Sequence, residues 1–282
     1  MSASYYGRSI VKPHEWKPVI PLYFWIGGTA GAAAAACVLA RIRGSHGLAK
    51  TYKRIALGGA LVAPVLLTVD LGVPARFYNM FRVFKPTSPM SLGSWLLLAF
   101  GGALSLSTLA EFAELAWISI PLEFAAAALG PGVTTYTAVL IANTATPVWH
   151  EAYPTLPFVF VASGISGAGA LAVLCAPNEE AGPARRAMLL GEAGVIASMR
   201  AMERQVGEFL SEPYRQGKAG ALQRAATALG AAALAAGFFG KKARWPTRVA
   251  GVLAIASGIL ERFAIVEAGT QSAKDPKYAV EG

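Results

Sequence analysis

Apolar residues fall along this chain in eight long runs, separated by short polar, basic or proline-bearing breaks. The runs cover roughly 19–40, 55–73, 92–116, 122–146, 154–176, 185–209, 219–239 and 248–269. Each is close to the roughly 20 residues that a helix needs to cross about 30 Å of hydrocarbon. The pattern predicts an all-α, polytopic membrane helix bundle of about eight transmembrane helices. It is one transmembrane domain over 1–282, with a polar arm at 1–18 and a tail at 270–282. An even number of crossings puts both termini on one face, side A, together with the loops 74–91, 143–154 and 210–218. Side B then holds 41–54, 115–121, 177–184 and 240–247. Small-residue faces at Gly27/Gly31, Gly58 and 163–170 let backbones approach closely. Pro64, Pro121, Pro131 and Pro147 are expected to bend or end helices.

Composition agrees with the pattern. Of 282 residues, 55% are hydrophobic and 15% charged, with a mean hydropathy of +0.47. That leaves too little polar surface for a soluble chain of this length. The arm is polar (Arg8, Lys12, His14, Glu15, Trp16, Lys17) and has no apolar h-region, so no cleavable signal peptide is expected. The net charge of +9 does not point to nucleic acid, because Lys and Arg flank the apolar runs in the manner of membrane topology signals. Basic residues occur on both sides. The shorter side-B loops, with Arg41 to Arg54 and Lys241 to Arg248, favour side B as the cytoplasmic face and the termini as outer.

The chemistry-bearing residues narrow the function. Cys37 and Cys175 stand alone and no CxxC occurs, so the chain holds no recognisable iron–sulfur or structural zinc motif. His14, His46 and His150 all lie at or beyond span ends, which excludes paired axial histidines; no haem is expected. Asp70, in contrast, sits inside an apolar run that leaves through Gly72, Pro74 and Arg76, and a carboxylate there must be paired, neutralised or wetted.

Polar groups converge on side A: Asp70, Arg76, Tyr23, Tyr136, Asn143, Trp149 and His150. An acid, phenols and donors around an apolar slot open to lipid suit a quinone, whose carbonyls need hydrogen bonds and whose reduction needs protons. Each has a plainer reading. Asp70 pairs with Arg76 or caps backbone, Tyr23 and Trp149 are interfacial belt aromatics, and His150 is a solvated end residue. A second set, Glu111, Glu123, Glu192 and Glu261, is a candidate proton route from side B towards Asp70, against structural ion pairing. As helix neighbours, Glu261 and Arg262 are expected to point apart and to find partners on other spans. A secondary transporter or an ion or proton channel would use the same carboxylates; no internal repeat between the halves supports that architecture.

Three stretches resemble the NrfD/PsrC family of membrane subunits of complex iron–sulfur molybdoenzymes. They are PARF (74–77) followed by KPTSPMSLGSW (85–95) with Asp70 upstream, then YTAVLIANTATPVWHE (136–151), then ERFAIVEAGTQSAKDP (261–276). The resemblance implies an eight-helix, haem-free subunit that binds menaquinone or ubiquinone in a prokaryotic cytoplasmic membrane, termini outside. It implies docking to a four-cluster ferredoxin-like iron–sulfur subunit, which wires it to a molybdopterin-type catalytic subunit. Tyr136 matches a tyrosine that the family places at the quinone. Tyr23 falls where a polysulfide-reductase-type member has a histidine, a departure from the pattern.

Overall fold

The computed structural model describes residues 11, 12, 14, 16–177, 179–240 and 244–280; Arg8, Glu15, Lys241 and Lys242 lie outside the described residues. Eight long helices make the bundle. They are α1 (Val19–Ile42), α2 (His46–Asp70), α3 (Pro89–Phe112), α4 (Ala116–Ala142), α6 (Leu156–Cys175), α7 (Ala181–Arg215), α8 (Gly217–Phe239) and α9 (Arg244–Lys274). Between them lie a 3₁₀ segment (Pro74–Phe81) and a short α5 (Pro147–Glu151), and α10 (Lys277–Val280) follows α9.

Polar contacts at the helix ends sort the termini into two faces. On one, the Lys17 backbone N–H donates to Asp70 at 3.0 Å, and Gln205 Nε2 donates to the Glu151 carbonyl at 2.8 Å. On the other, Arg41 meets Glu123 at 2.6 Å and the Leu48 N–H donates to Glu180 at 2.7 Å. Successive long helices therefore run antiparallel, and both ends of the described chain lie on side A.

Seven of the eight long helices are long and apolar enough to cross a membrane. The exception is α7, which carries Glu192, Arg200, Glu203 and Arg204. It nevertheless runs from the Glu180 contact on side B to the Gln205 contact on side A, about 39 Å for residues 181–206 at 1.5 Å per residue. Beyond that, Gly207 (φ 86°) breaks the helix and turns residues 208–215 aside, a backbone conformation that glycine adopts without steric cost. The protein is a multi-pass helical membrane bundle.

Helix ends depart from the apolar runs for one reason: charge marks where the bilayer ends, not where the helix does. Thus α2 begins at His46, nine residues before its apolar run, and carries Lys50, Lys53 and Arg54 as helical residues. In the same way α7 and α9 overrun 185–209 and 248–269 at both ends. Nor is the side-A loop 74–91 irregular throughout, because Pro74 opens the 3₁₀ segment at a first helical position that loses no hydrogen bond to proline.

At the centre α1 packs on α2, α4, α6 and α9. The α1–α4 approach is backbone to backbone, since a Cβ on Gly31 would overlap the Gly130 carbonyl. Large apolar side chains such as Leu61, Val65, Leu98, Leu106 and Phe112 point outward, as a lipid-facing surface requires. Trp117 and Trp245, 75% and 71% exposed at side-B helix ends, occupy the belt position. Tyr23 and Trp149 do not. They are 2% and 0% exposed, which overturns the belt reading for both.

Candidate functional site

Where α2 and α3 splay apart towards side A, the 3₁₀ segment roofs a cavity of about 510 Å³. Pro64, Val65 and Thr68 from α2, Phe77 and Phe81 from the roof, and Leu97 and Leu98 from α3 form much of its wall. Gly101 and Gly102 leave the α3 side open. The lining contains no charged side chain, and two of its three hydroxyls are turned back on their own helices: Thr68 to the Pro64 carbonyl at 2.8 Å, Ser94 to Met90 at 2.9 Å. Such a slot accepts an apolar chain or ring and offers it few polar partners.

Asp70 follows Thr68 and Val69 of the wall and ends α2. One oxygen accepts the Lys17 N–H at 3.0 Å, while Lys17 Nζ donates to the Val69 carbonyl at 2.8 Å. Arg76 is exposed and makes no ion pair with it among the described residues, so of the two plain readings of Asp70 the backbone contact is the one seen. Tyr136 lies half-buried on α4 with its ring against Gly93, the neighbour of cavity-lining Ser94, and a Cβ at Gly93 would overlap that ring. The Tyr136 and Tyr23 hydroxyls have no hydrogen-bond partner among the described residues.

Trp149 holds the α5 turn into the bundle. Its Nε1–H donates to the Ile265 carbonyl at 2.9 Å, and its ring fills the space above Gly269. Trp16 stacks on it at 5.5 Å and 12°, and His14 lies 4.7 Å from Trp16. Burial in this stack lowers the His14 imidazole from its usual range. Asn143 and His150 lie exposed at the side-A end, with His150 Nδ1 3.3 Å from the Ala142 carbonyl.

The four glutamates fall into two separate groups. Glu123 is clamped by Arg41 at 2.6 and 2.8 Å and lies 3.5 Å from Lys53, which meets Glu111 at 2.5 Å; this closes the side-B end of α1–α4. Glu192 and Glu261 instead line a second cavity, of about 520 Å³, among α7, α8 and α9. Ser166 donates to Glu192 at 2.6 Å, and the Ser257 hydroxyl lies between the Ala226 carbonyl at 3.0 Å and Glu192 at 3.3 Å. Glu261 does reach its neighbour, with Arg262 Nη1 3.6 Å away, contrary to the expectation that they point apart. Both side chains are long enough to fold back along the helix, and the Arg262 guanidinium lies 3.7 Å over the Phe160 ring.

Reading the sequence missed Lys17 and Trp16 as site residues, since only the fold returns the arm across the end of α2. It also missed Gly93, whose place in the LGSW motif was the available signal.

A family model described as polysulphide reductase, NrfD, matches residues 11–201, which takes in α1 to α6 and most of α7. No curated protein matches the chain. The matched stretch contains the α2–α3 cavity, Asp70, Tyr136 and Trp149, and stops before the 261–276 motif. Covering more than half of the residues, the match makes this chain a member of the NrfD (polysulphide reductase) family of membrane subunits associated with oxidoreductases.

Proposed function

We propose that this chain is the quinone- and quinol-reactive subunit of a multi-subunit respiratory oxidoreductase in a prokaryotic cytoplasmic membrane, its termini on the outer face. The observation that carries the reading is the lipid-level apolar cavity between α2 and α3, with Asp70 beside its wall, inside the stretch that matches the family. Menaquinone or ubiquinone fits such a slot as a flat ring on an apolar tail and supplies two-electron, two-proton chemistry.

The chain's own residues would bind and move protons. The Tyr136 and Tyr23 hydroxyls, without partners among the described residues, would donate to a carbonyl. Lys17 fixes one oxygen of Asp70 and leaves the other to hold and pass a proton. Trp149 serves as the wall that fixes the arm, because its only donor is already used. Asn143 and His150 border the site from the side-A rim. Exposed Arg76, Arg82, Tyr78 and Phe84 then face a four-cluster iron–sulfur partner, which links to a molybdopterin-type catalytic subunit.

Replacing Asp70 with Asn tests this. Quinone-linked turnover should fall by about 10²-fold or more, the usual weight of a positioned acid–base group, while the complex still purifies intact. Normal turnover would sink the proton role. A second reading, a transporter or channel, is favoured by the charged cavity among α7–α9. It predicts substrate flux by this chain alone and no cluster-bearing partner in a mild-detergent purification.

A further inference from the structure

The cavity among α7, α8 and α9 carries charged and polar side chains along its length, set between apolar stretches of wall such as Val195, Met199 and Ala226. At the mouth stand Arg215 and Tyr214, beside the α7–α8 turn on side A. Ala231, towards the floor, is about 21 Å along α8 from Gly217 at 1.5 Å per residue. The space therefore reaches from side A to the middle of the bundle and stops there.

Its charges are graded. Arg200, Arg215 and Arg224 are exposed, with Glu203 half-buried 3.5 Å from Arg215. Glu192 and Glu261 lie deeper and are each 1% exposed. Several of the buried polar groups, though not Glu192, lack a hydrogen bond among the described residues. Both carboxylate oxygens of Glu261, the Gln223 carbonyl oxygen and the Tyr214 hydroxyl are buried with no hydrogen-bond partner among the described residues. Around Gly258, one turn before Glu261, Trp25 Nε1 and Ser163 Oγ are likewise unpartnered. Buried polar atoms are rarely left so, and in a space of this size water is the partner that serves donors and acceptors alike.

The two deep carboxylates differ. Glu192 is held by the Ser166 hydroxyl and shares the Ser257 hydroxyl with the nearer Ala226 carbonyl, and its Oε2 sits where a Cβ on Gly230 would be. Protonating it would discard a hydrogen bond. Glu261 accepts no such hydrogen bond among the described residues. Arg262 lies 3.6 Å away, and Ser163 and the Glu192 carboxylate are close enough to act on its charge, so protonating it gives up the Arg262 attraction and relieves the repulsion from Glu192. From α6 the uncharged Ser163 faces Glu261, while Ser166 binds Glu192 and Phe160 lies under the Arg262 guanidinium; from α7 Glu192 and Tyr214 face Glu261.

We propose that this cavity is a water-filled half-channel, open on side A and ending in mid-bundle, in which Glu261 exchanges a proton with water. Its carboxylate takes the proton from hydronium and leaves water; release is the reverse. The site is separate from the α2–α3 cavity and does not depend on the quinone reading.

Thiol labelling in native membranes tests it, on a chain in which Cys37 and Cys175 are Ser. Thr227→Cys places a thiol on the cavity wall, and Ala225→Cys one at similar depth, exposed but outside the cavity. Only a hydrated thiol forms the thiolate that reacts with a charged, membrane-impermeant methanethiosulfonate. Thr227→Cys should react at least about tenfold faster; equal rates would overturn the half-channel and leave the quinone reading standing. Infrared spectra in H2O and D2O then locate the proton. A deuterium-sensitive carboxylic-acid band that Glu261→Gln removes and Asp70→Asn keeps is expected. A band that survives Glu261→Gln would overturn the assignment.

Discussion

Two cavities of nearly equal size, about 510 and 520 Å³, sit in the two halves of this bundle with opposite linings. The one between α2 and α3 has no charged group in its wall; the one among α7–α9 has three glutamates and three arginines. Volume alone therefore says little about what a membrane bundle binds. An apolar wall open to lipid selects an amphiphile, whereas buried carboxylates and unpartnered oxygens are stable only if wetted or protonated. The first suits an apolar redox partner, the second its protons.

The sharpest way to break the comparison is to fill one cavity and not the other. A Cβ on Gly102 would meet nothing within 4 Å, so Gly102→Phe can project into the α2–α3 space without a backbone clash. Quinone-linked turnover should drop by about tenfold or more, about 1.4 kcal/mol in the barrier, with little change in Tm. Ala231→Phe, on the wall of the polar cavity, should leave quinone affinity alone. If Gly102→Phe turns over normally, the α2–α3 slot is not the quinone path.

A smaller effect separates hydrogen bonding from charge in the polar half. Glu192→Leu strands the Ser166 hydroxyl and weakens the Ser257 contact. The cost of an unsatisfied buried group is about 1–3 kcal/mol, seen as a lower unfolding temperature in detergent. Glu192→Gln keeps an acceptor in the same place and should lose less than half as much. Equal losses would mean that the charge, not the acceptor geometry, holds the three helices. In the apolar half, Gly93→Ala should push the Tyr136 ring and raise the KM for quinol a few-fold while kcat holds, roughly 1 kcal/mol of binding.

How much of this could be read from the sequence follows the same divide. The apolar runs predicted the all-α bundle and its antiparallel order, because hydrocarbon permits little else. Asp70 was legible since a lone acid in an apolar run is costly anywhere. What lay beyond reach were the partners. Nothing local tells that Lys17 caps Asp70, that Trp149 is buried against α9, or that Glu111 and Glu123 share cations while Glu192 and Glu261 share a cavity. A chain of four carboxylates is a natural reading along the sequence; packing divides it between the two halves.

The smallest effect is a pH-dependent latch beyond Gly207, near the side-A end of α7. Lys277 and Tyr278 both donate to Glu212 at 2.7 Å, tying the end of the chain to the segment beyond Gly207. Those hydrogen bonds, the Lys277 one first, hold Glu212 below the ordinary glutamate value of 4.5, and the same contact holds Lys277 above its usual 10.5. A carboxylate depressed in the folded state contributes stability above its unfolded value and loses it as pH falls through the folded one. The raised lysine contributes below 10.5 and loses that only as pH climbs through its higher folded value. The latch should thus hold across neutral pH and open only in acid, as pH falls through the lowered Glu212 value. A 3-fluorotyrosine at 278 would report this as a fluorine shift on acidification, reproduced at pH 7 by Glu212→Gln and absent from labels near Asp70. Because the groups are largely solvated, the unfolding temperature should barely move. A large drop in it would mean that Lys277 and Tyr278 brace α7–α9 as a whole rather than merely fastening the segment beyond Gly207.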